Sequence, residues 1–366
     1  MMGNVVVFGA GQMGLATSLG MKRLGHSVLT VDINSHNFSE LKRNGINTKC
    51  VMNTRAESAS LVSSADVVIS CLPYHKNLEV AKSCIESSVP YCDLGGRVDI
   101  SDKIHSLCIE NSFSQVFTDL GLAPGLVNII AEHGCSKVDQ PTDVKMMVGG
   151  LPNKVVDNPL GYLSTWSTDG LINEYRDDCV VLKNGKIIKV KALEGLEAVK
   201  TKKSLVHREL EAFYTSGGSS HSIHTMKDLG VSNCSYKTLR FKGHKKVVDF
   251  LINKCELDDE TLKKIFEEGC SLEKCNNSFS SPWRISDIVI LLCSVTNGDG
   301  LCWEKEIIID SKDGLSAMQR STAFSICSVA DLLIRGLLSS KSEYLQYSDI
   351  PFGEFSSNMK KFDIEI

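Results

Sequence analysis

The sequence lacks an excess of basic residues, long apolar runs and closely spaced pairs of cysteines. Its formal net charge is -4, so there is no positive field to attract a nucleic-acid backbone. The apolar run Ile288–Cys293 near the carboxyl end is too short to span a bilayer and is typical of a buried strand. Neither nucleic acid nor a membrane is therefore expected as a partner.

The 14 cysteines are scattered, and no C-x-x-C pair occurs among them. Cys270 and Cys275 lie too far apart for the usual spacing of zinc ligands. His221 and His224 have a spacing that suits one helix face, but no third ligand is evident, so we predict no metal site. The amino terminus has no secretory pattern, so we expect a cytoplasmic protein whose reduced thiols fill apolar niches.

The chain length predicts two domains, because 366 residues exceed what one compact core usually holds. Hydrophobic residues make up 42% and charged residues 23%, the balance of an ordinary soluble protein. We expect a dinucleotide-binding domain at residues 1–125, to which a helix at about 316–345 returns. Residues 126–315 are expected to form an α+β domain for substrate binding and oligomerisation.

A glycine motif follows the first apolar run. Val5–Phe8 is continuous and β-branched, as expected of a strand that is buried on both faces. Gly9 permits a tight turn, Gly11 leaves room for a pyrophosphate, and Gly14 lets the next helix pack closely. A helix that begins near Gln12 would direct its free N–H groups at the phosphates. The order of strand, loop and helix is typical of dinucleotide binding.

An acidic residue ends the second predicted strand, Ser27–Asp32. Asp32 lies roughly 20 residues beyond the glycines, where this motif places a carboxylate that binds the ribose hydroxyls. A 2′-phosphate would meet a like charge there, and Ile33–Ser35 contains no arginine or lysine to neutralise it. The sequence therefore favours NAD over NADP as the cofactor.

The alternation of strands and helices continues to about residue 121 and predicts a doubly wound parallel sheet of the Rossmann type. Ligands of such sheets bind outside the carboxyl ends of the strands. The residues that lie at this edge or in the glycine loop are the predicted cofactor-binding set: Gly9, Gly11, Gln12, Met13, Gly14, Asp32, Cys71, Leu72, Pro73 and Gly95.

The pattern changes after about residue 128, where strand-like stretches are no longer separated by helices. Asn184-Gly185 between two of them is a strong hairpin signal, which predicts a mostly antiparallel sheet. Helices around Lys245–Cys255 and Asp258–Phe266 would flank it. The predicted strands are 144–149, 162–166, 180–182 and 187–190, with 236–241 and 287–295 as possible extensions.

Several segments resemble one enzyme family. Phe117–Gly125 resembles the "D-x-G-x-A-P-G" segment of the saccharopine dehydrogenase-like reductases. Val148–Pro152, Leu193–Glu197 and Lys237–His244 resemble L-lysine 6-dehydrogenase in particular, and Met318–Thr322 is similar to the "M-x-R-T-T" helix start of the family. The matches occur in order from residue 5 to about residue 325, which covers nearly the whole chain.

The resemblance implies an NAD(P)-dependent oxidoreductase that acts on a CH–NH group. It implies oxidative deamination of L-lysine at the ε-amino carbon to the semialdehyde, or the reverse. A reductase that joins an amine and an aldehyde, as in saccharopine or carboxynorspermidine synthesis, is the alternative. A non-catalytic NAD-binding sensor or scaffold is an alternative of another class. The resemblance also suggests a homodimer or larger assembly. The exact substrate and the direction of the reaction stay open.

One departure from the imine-joining relatives bears on the substrate. After the segment that corresponds to Phe213–Thr215 they tend to carry an arginine suited to a second substrate carboxylate. This chain has Ser216-Gly217-Gly218 instead. The difference favours a substrate with fewer carboxylates, such as a plain amino acid.

Three residues are predicted to be catalytic. His244 is the first candidate for proton handling because the ordinary pKa of histidine lies near working pH; the alternative is a residue that fills the turn after Gly243. Glu211 is expected to act as a base or to pair with a cationic amine, unless it is a solvated carboxylate. Asp119 lies at the binding edge of the sheet, where it either orients the substrate or caps the helix near Gly125.

Three further residues are predicted to bind the substrate. Arg240 has a guanidinium that can hold a substrate carboxylate through two parallel hydrogen bonds. A structural ion pair is the alternative role for this arginine. Tyr214 and Thr215 would offer hydroxyl groups to the substrate.

Overall fold

The computed structural model describes residues 2–51, 55–154, 156–201, 209–270, 286–300 and 302–366. The chain divides into two compact units, one formed by residues 1–129 and 319–366 and the other by residues 130–318. None of the described helices is both long and apolar enough to cross a membrane. Most of the described cysteines are buried, and Cys275 lies outside the described residues.

The first unit contains a six-stranded sheet in which every described pair of neighbouring strands is parallel, in the order β3-β2-β1-β4-β5-β6. The central strand is apolar because helices cover both faces of such a sheet; Val5 and Val7 are almost fully buried. The prediction of a doubly wound parallel sheet is confirmed. The strands are β1 Asn4–Phe8, β2 Ser27–Asp32, β3 Asn47–Cys50, β4 Val67–Ser70, β5 Tyr91–Asp93 and β6 Val116–Phe117.

Helices alternate with these strands, and two more come from the carboxyl end of the chain. The first helix begins at Gln12, directly after the glycine loop, and ends before Gly25, whose positive φ of 95° stops it. Numbered in chain order, the helices assigned to this unit are α1 Gln12–Arg23, α2 Phe38–Arg43, α3 Arg55–Val62, α4 Asn77–Glu86, α5 Val98–Asn111, α11 Ala317–Ile334 (from residue 319) and α12 Phe352–Lys361.

The second unit contains an eight-stranded sheet in the order β10-β11-β12-β7-β13-β14, with β8 paired to β12 and β9 paired to β8. The pair β12·β7 is parallel and the other described pairs are antiparallel, so the predicted mostly antiparallel sheet is confirmed. The strands are β7 Pro141–Pro152, β8 Cys179–Lys183, β9 Lys186–Val190, β10 Glu197–Val199, β11 Leu210–Phe213, β12 Asn233–Phe241, β13 Asp287–Asn297 and β14 Cys302–Asp310.

The hairpin between β8 and β9 forms as predicted. Asn184 and Gly185 both have positive φ, 50° and 72°, as a two-residue turn of this kind requires. The helices of this part of the chain are α6 Leu126–Cys135, in which the boundary between the units falls, α7 Thr168–Arg176, α8 Ser222–Asp228, α9 His244–Asp249 and α10 Asp259–Gly269.

The strand predicted at 162–166 is wrong. The side chain of Asn158 accepts a hydrogen bond from the Tyr162 amide at 3.2 Å and donates one to the Tyr162 carbonyl at 2.9 Å. Both backbone groups of Tyr162 therefore have a side-chain partner, and the described part of this segment has an isolated bridge at Ser164 but no strand. The chain then enters α7, whose first turn is capped by the Ser167 hydroxyl, which accepts from the Gly170 amide.

Candidate functional site

The glycine loop of the first unit has the geometry that phosphate binding requires. Gly9 has a φ of 101°, which disfavours any other residue. A Cβ atom at Gly14 would lie 1.9 Å from the Gly9 carbonyl oxygen, so the start of α1 packs directly on the loop. A Cβ at Gly11 would meet no atom within 4 Å. The amide groups of the first turn of α1, at Gln12 and Met13, therefore face an open approach to the loop.

Asp32 ties the glycine loop to the end of β2. Its Oδ2 accepts a hydrogen bond from the Ala10 amide at 2.6 Å, and its Oδ1 accepts one from the Asn34 amide at 2.8 Å. The Asn37 side chain also donates to the Ala10 carbonyl at 2.6 Å. A carboxylate offers about four lone pairs, so Asp32 keeps acceptor capacity for two ribose hydroxyls. These contacts fit a dinucleotide.

The predicted residues after β4 form the second wall of this loop. The Cys71 amide donates to the Phe8 carbonyl at 2.8 Å, and a Cβ at Gly9 would come within 2.9 Å of the Cys71 carbonyl oxygen. Burial raises the pKa of the Cys71 thiol to about 12, so the thiol stays protonated and acts as an apolar wall. Leu72 is half-buried, and Pro73 is exposed at the same edge.

Gly95 and Asp119 meet at the carboxyl ends of β5 and β6. A Cβ at Gly95 would lie 2.1 Å from the Asp119 Oδ1, so only glycine permits this approach. Ser101 donates a hydrogen bond to the same oxygen at 3.2 Å. Near Gly125, the Asn128 side chain accepts a hydrogen bond from the Gly125 amide at 2.8 Å.

Asp93, which the sequence analysis did not select, anchors this corner. Its Oδ1 accepts from the Gly95 and Asp119 amides at 2.8 and 3.0 Å, and the Tyr91 hydroxyl donates to its Oδ2 at 3.0 Å. Burial raises the pKa of the Asp93 carboxyl to about 7, and the negative charge of Asp119 adds to the shift. The signal available in the sequence was a strand that ends in an acid, Asp93, two residues before Gly95-Gly96.

Arg240 lies near the end of β12 in the second unit and is only 3% exposed. Its Nε donates to the Tyr175 hydroxyl at 3.1 Å, and its Nη1 donates to the Leu239 carbonyl at 3.0 Å. The guanidinium also lies over the ring of Tyr162, 4.8 Å from the centroid. Within the described ranges it forms no ion pair with a carboxylate. Three of its five N–H groups are therefore left for an anionic ligand.

His244 is buried behind Arg240 and is held in one tautomer. Its Nδ1 lies 2.9 Å from the Leu160 carbonyl, which can only accept, so Nδ1 carries the proton. Its Nε2, 3.0 Å from the Tyr175 hydroxyl, then accepts from that hydroxyl. Burial lowers the pKa of His244 to about 3, and the charge of Arg240 contributes. The expectation of a pKa near working pH is wrong, because the ring is desolvated and stays neutral.

These hydrogen bonds form a chain with a single direction. Arg240 donates to Tyr175, Tyr175 donates to His244, and His244 donates to the backbone at Leu160. His244 therefore orients the tyrosine that in turn orients the guanidinium. His244 thus positions Arg240 through Tyr175, and each of its two ring nitrogens already has a partner.

Glu211 lies directly opposite Arg240 in the antiparallel pair β11·β12. Its two oxygens accept from the Lys245 amide at 2.7 Å and the Gly243 amide at 3.0 Å. The side chain is buried, so the alternative of a solvated carboxylate is wrong. Because both oxygens hold the turn that starts α9, Glu211 keeps His244 in place and is engaged with the backbone.

The two predicted hydroxyl residues lie in different surroundings. Thr215 and Thr238 share a hydrogen bond of 2.7 Å, and Thr238 is on the same face of β12 as Arg240 because it lies two residues before it. The ring of Tyr214 instead packs against Gly195 and lies 4.8 Å from the Lys237 ammonium, which projects from the opposite face. The structure thus groups Thr215 with Arg240 and His244 and places Tyr214 apart from them.

Two residues of α7 complete this group, and the sequence analysis missed both because no helix was predicted there. Tyr175 links Arg240 to His244, as described above. Glu174 is half-buried, and among the described residues nothing donates a hydrogen bond to its carboxylate. Burial raises the pKa of Glu174 to about 7, although the nearby charge of Arg240 opposes the shift.

Comparison with known proteins adds family evidence to this geometry. Residues 5–112 match the family model described as the saccharopine dehydrogenase NADP binding domain, and residues 121–345 match that of the saccharopine dehydrogenase C-terminal domain. Alpha-aminoadipic semialdehyde synthase of Rattus norvegicus is 28% identical over 239 residues, which cover 62% of this chain and 25% of the rat protein.

A fungal relative and one solved structure cover more of the chain. Saccharopine dehydrogenase [NADP(+), L-glutamate-forming] of Schizosaccharomyces pombe is 23% identical over 309 residues, 77% of this chain and 62% of that protein. The chain thus spans a quarter of the rat relative and less than two thirds of the fungal one. Apo saccharopine dehydrogenase (L-Glu forming) from Saccharomyces cerevisiae has a TM-score of 0.73 at 16% identity, covering 99% of this chain and 98% of that one. This likeness shows the fold.

Proposed function

Because the chain belongs to the saccharopine dehydrogenase family of oxidoreductases, we propose that it transfers hydride between a nicotinamide dinucleotide and a carbon–nitrogen bond of an amino acid. The observation that carries the proposal is the buried Arg240, a cation with free N–H groups and no ion-pair partner among the described residues. A buried charge without a partner is costly, and a substrate carboxylate would supply the missing anion.

The cofactor would supply the chemistry of hydride transfer, and the protein positions the reactants. The glycine loop and the first turn of α1 would hold the pyrophosphate, and Asp32 would hold the ribose. Arg240 would fix the substrate carboxylate through its remaining N–H groups, with its fork oriented by Tyr175 and His244. Asp119 and Asp93 shape the carboxyl edge of the sheet at which ligands of this fold bind.

The substrate favoured here is an amino acid with one carboxylate, and L-lysine, oxidised at its ε-amino carbon, is the first choice. Among the described residues grouped around Arg240, that arginine supplies the single guanidinium. Gly218 packs with its backbone against the ring of Tyr236, where a Cβ atom would come within 2.2 Å. Position 218 therefore contributes no side chain, and no cation, to the residues around Arg240.

A reductase that joins an amine to an aldehyde is the second candidate. It is favoured by the names of the relatives, which specify saccharopine dehydrogenase. Such a substrate carries further carboxylates and would require further cations. Because Arg240 is the single guanidinium among the described residues grouped around it, an amino acid with one carboxylate fits better.

The first test measures the absorbance of reduced nicotinamide with purified protein. We expect reduction of the dinucleotide when L-lysine is supplied. Oxidation of the reduced dinucleotide only when an amine and a 2-amino-acid semialdehyde are mixed would assign the imine-joining reaction instead. Binding of the dinucleotide without turnover of any amine or mixture would overturn the enzymatic proposal and favour a sensor.

The Asp32 carboxylate is expected to make the protein prefer NAD over NADP. The descriptions of the family model and the fungal relative name NADP, whereas the Asp32 carboxylate is held at the end of β2 and would face a 2′-phosphate. We expect NAD to bind at least about 10-fold more tightly than NADP. The reason is that two like charges close together near a protein surface repel each other by up to several kcal/mol. The dissociation constants of both dinucleotides, measured by fluorescence titration, check this.

A double variant makes the cofactor test sharper. Replacing Asp32 with serine and the exposed Ile33 with arginine removes the repulsion and adds a phosphate ligand, so the preference should reverse. Glu40→Gln, an exposed acid on α2, serves as the control and should leave the preference unchanged. Tighter binding of NADP by the unaltered protein would contradict the role assigned to Asp32.

A further inference from the structure

Two residues of opposite charge in the second unit, Glu174 and Arg240, are linked through Tyr175 but form no ion pair among the described residues. Arg240 projects from β12 onto the face of the sheet that also carries Thr238 and Tyr236, here called the Arg240 face. Glu174 is the neighbour of Tyr175 on α7, and the Tyr175 hydroxyl contacts Arg240. The charges of Glu174 and Arg240 influence each other, yet no hydrogen bond or ion pair joins them in the described part of the chain.

The backbone holds Glu174 in this position. The Ser216 amide donates to the Glu174 carbonyl at 3.0 Å, and the Ser216 hydroxyl donates to the Asn173 carbonyl at 3.2 Å. The end of α7 is thus attached to the segment that carries Thr215, which itself bonds to Thr238 on the Arg240 face. Among the described residues, the half-buried Glu174 carboxylate has no donor and the buried Arg240 guanidinium has no ion-pair partner, so the two groups are complementary to a ligand that carries both charges.

We infer that Glu174 and Arg240 form a clamp for the zwitterionic end of an α-amino acid, in which Glu174 binds the α-ammonium group and Arg240 binds the α-carboxylate. The inference rests on the proposed function for the carboxylate contact of Arg240, and it adds Glu174 as the residue that selects α-amino acids. A substrate held in this way exposes its side chain, and with it a terminal amine, for reaction elsewhere.

The clamp makes binding release protons. Burial raises the pKa of the Glu174 carboxyl to about 7, and an ammonium group placed beside it would favour the ionised form. Arg240 stays cationic, and burial raises the pKa of Tyr175 and Tyr236 above the ordinary value and that of Tyr162 to about 12.

Two other groups near this face do not titrate in the same range. Burial raises the pKa of the Cys179 thiol to about 12, while His244 stays neutral at a pKa of about 3. Among the groups named here, Glu174 is therefore the one that changes charge near neutral pH. We expect affinity for an α-amino acid to rise between about pH 6 and pH 8, as the site loses its proton.

Calorimetric titration in two buffers of different ionisation enthalpy tests the clamp. The probes are L-lysine, L-norleucine, which has the same α-groups without the ε-amine, and 1,5-diaminopentane, which has no carboxylate. Near pH 7 we expect both amino acids to bind with release of about half a proton each, because the carboxyl is half protonated there. Glu174→Gln should lose this proton release and bind both about 10-fold or more weakly.

Matched variants and probes separate the outcomes. Asp177→Asn removes an exposed carboxylate just beyond α7 and should change neither the affinity nor the proton release. Unchanged binding and proton release in Glu174→Gln, tight binding of the diamine, or no binding of either amino acid would each overturn the clamp. Proton-linked binding of amino acids without any turnover would support the clamp and reject the proposed oxidoreductase activity. Turnover of lysine, with equal affinity in the Glu174→Gln variant, would support the oxidoreductase activity and reject the clamp.

Discussion

Replacing Arg240 with methionine is expected to raise the KM for an amino-acid substrate by about 100-fold or more. The reason is that the substitution removes the protein's half of a buried charge pair with the substrate carboxylate. Methionine fills a similar volume over Tyr162 but has no N–H groups to hold a carboxylate. Steady-state kinetics with L-lysine measure the effect. Arg240→Lys keeps the charge without the planar fork and should recover only part of the affinity.

The controls for this variant distinguish a lost contact from a lost fold. Lys242 is exposed, lies two residues further along the chain and pairs with the exposed Glu209, so Lys242→Met should leave KM unchanged. Dinucleotide affinity should also be unchanged in Arg240→Met, because the glycine loop lies in the first unit. A KM that stays within twofold of the original value would contradict the role given to Arg240.

Asp93→Asn is expected to remove a pH dependence of stability from the first unit. The native carboxyl has a pKa of about 7, raised by burial, whereas an unfolded aspartate titrates near pH 4. Between these values the native state holds a proton that the unfolded state has lost, so the stability contributed by this group is full below about pH 4 and falls as pH rises to about 7. The slope is about 1.4 kcal/mol per pH unit.

The side-chain amide introduced by Asp93→Asn preserves the hydrogen bonds of this corner. Its oxygen can accept from the Gly95 and Asp119 amides, and its NH2 can donate to the Tyr91 hydroxyl, which has the Asn77 carbonyl 3.4 Å away as an acceptor. Urea unfolding at about pH 5 and pH 7 should show a variant that gains stability over the original protein as pH rises. Glu110→Gln, an exposed carboxylate on α5, is the control. Equal pH slopes for Asp93→Asn and the original protein would refute the assignment.

The sequence alone predicted the parallel sheet, the glycine loop and the hairpin at Asn184-Gly185. These features depend on local physics. A buried parallel strand requires continuous apolar residues, a left-handed turn requires glycine or asparagine, and a helix start leaves amides free whatever surrounds it. The family resemblance had the same basis, because short segments such as Phe117–Gly125 keep their residue types in order along the chain.

The sequence analysis predicted no helix at α7 and a strand just before it, because Tyr162–Trp166 has the composition of a strand. Asn158 engages both backbone groups of Tyr162, and a side chain four residues away is not visible in a pattern of alternating hydrophobicity. With α7 missing, Glu174 and Tyr175 could not be connected to Arg240, although Arg240 itself was selected from the segment in which it occurs.

The sequence by itself therefore determined the fold class, the dinucleotide loop and the residue types available for chemistry. Only the tertiary structure decided what those residues do. His244 is neutral because burial and Arg240 lower its pKa, and Glu211 holds the turn before α9. Burial raises the pKa of Glu174, whose carboxyl has no donor within the described part of the chain. The physical reason is that a pKa and a hydrogen-bond partner depend on desolvation and on charges brought close from distant positions in the chain, which no local pattern contains.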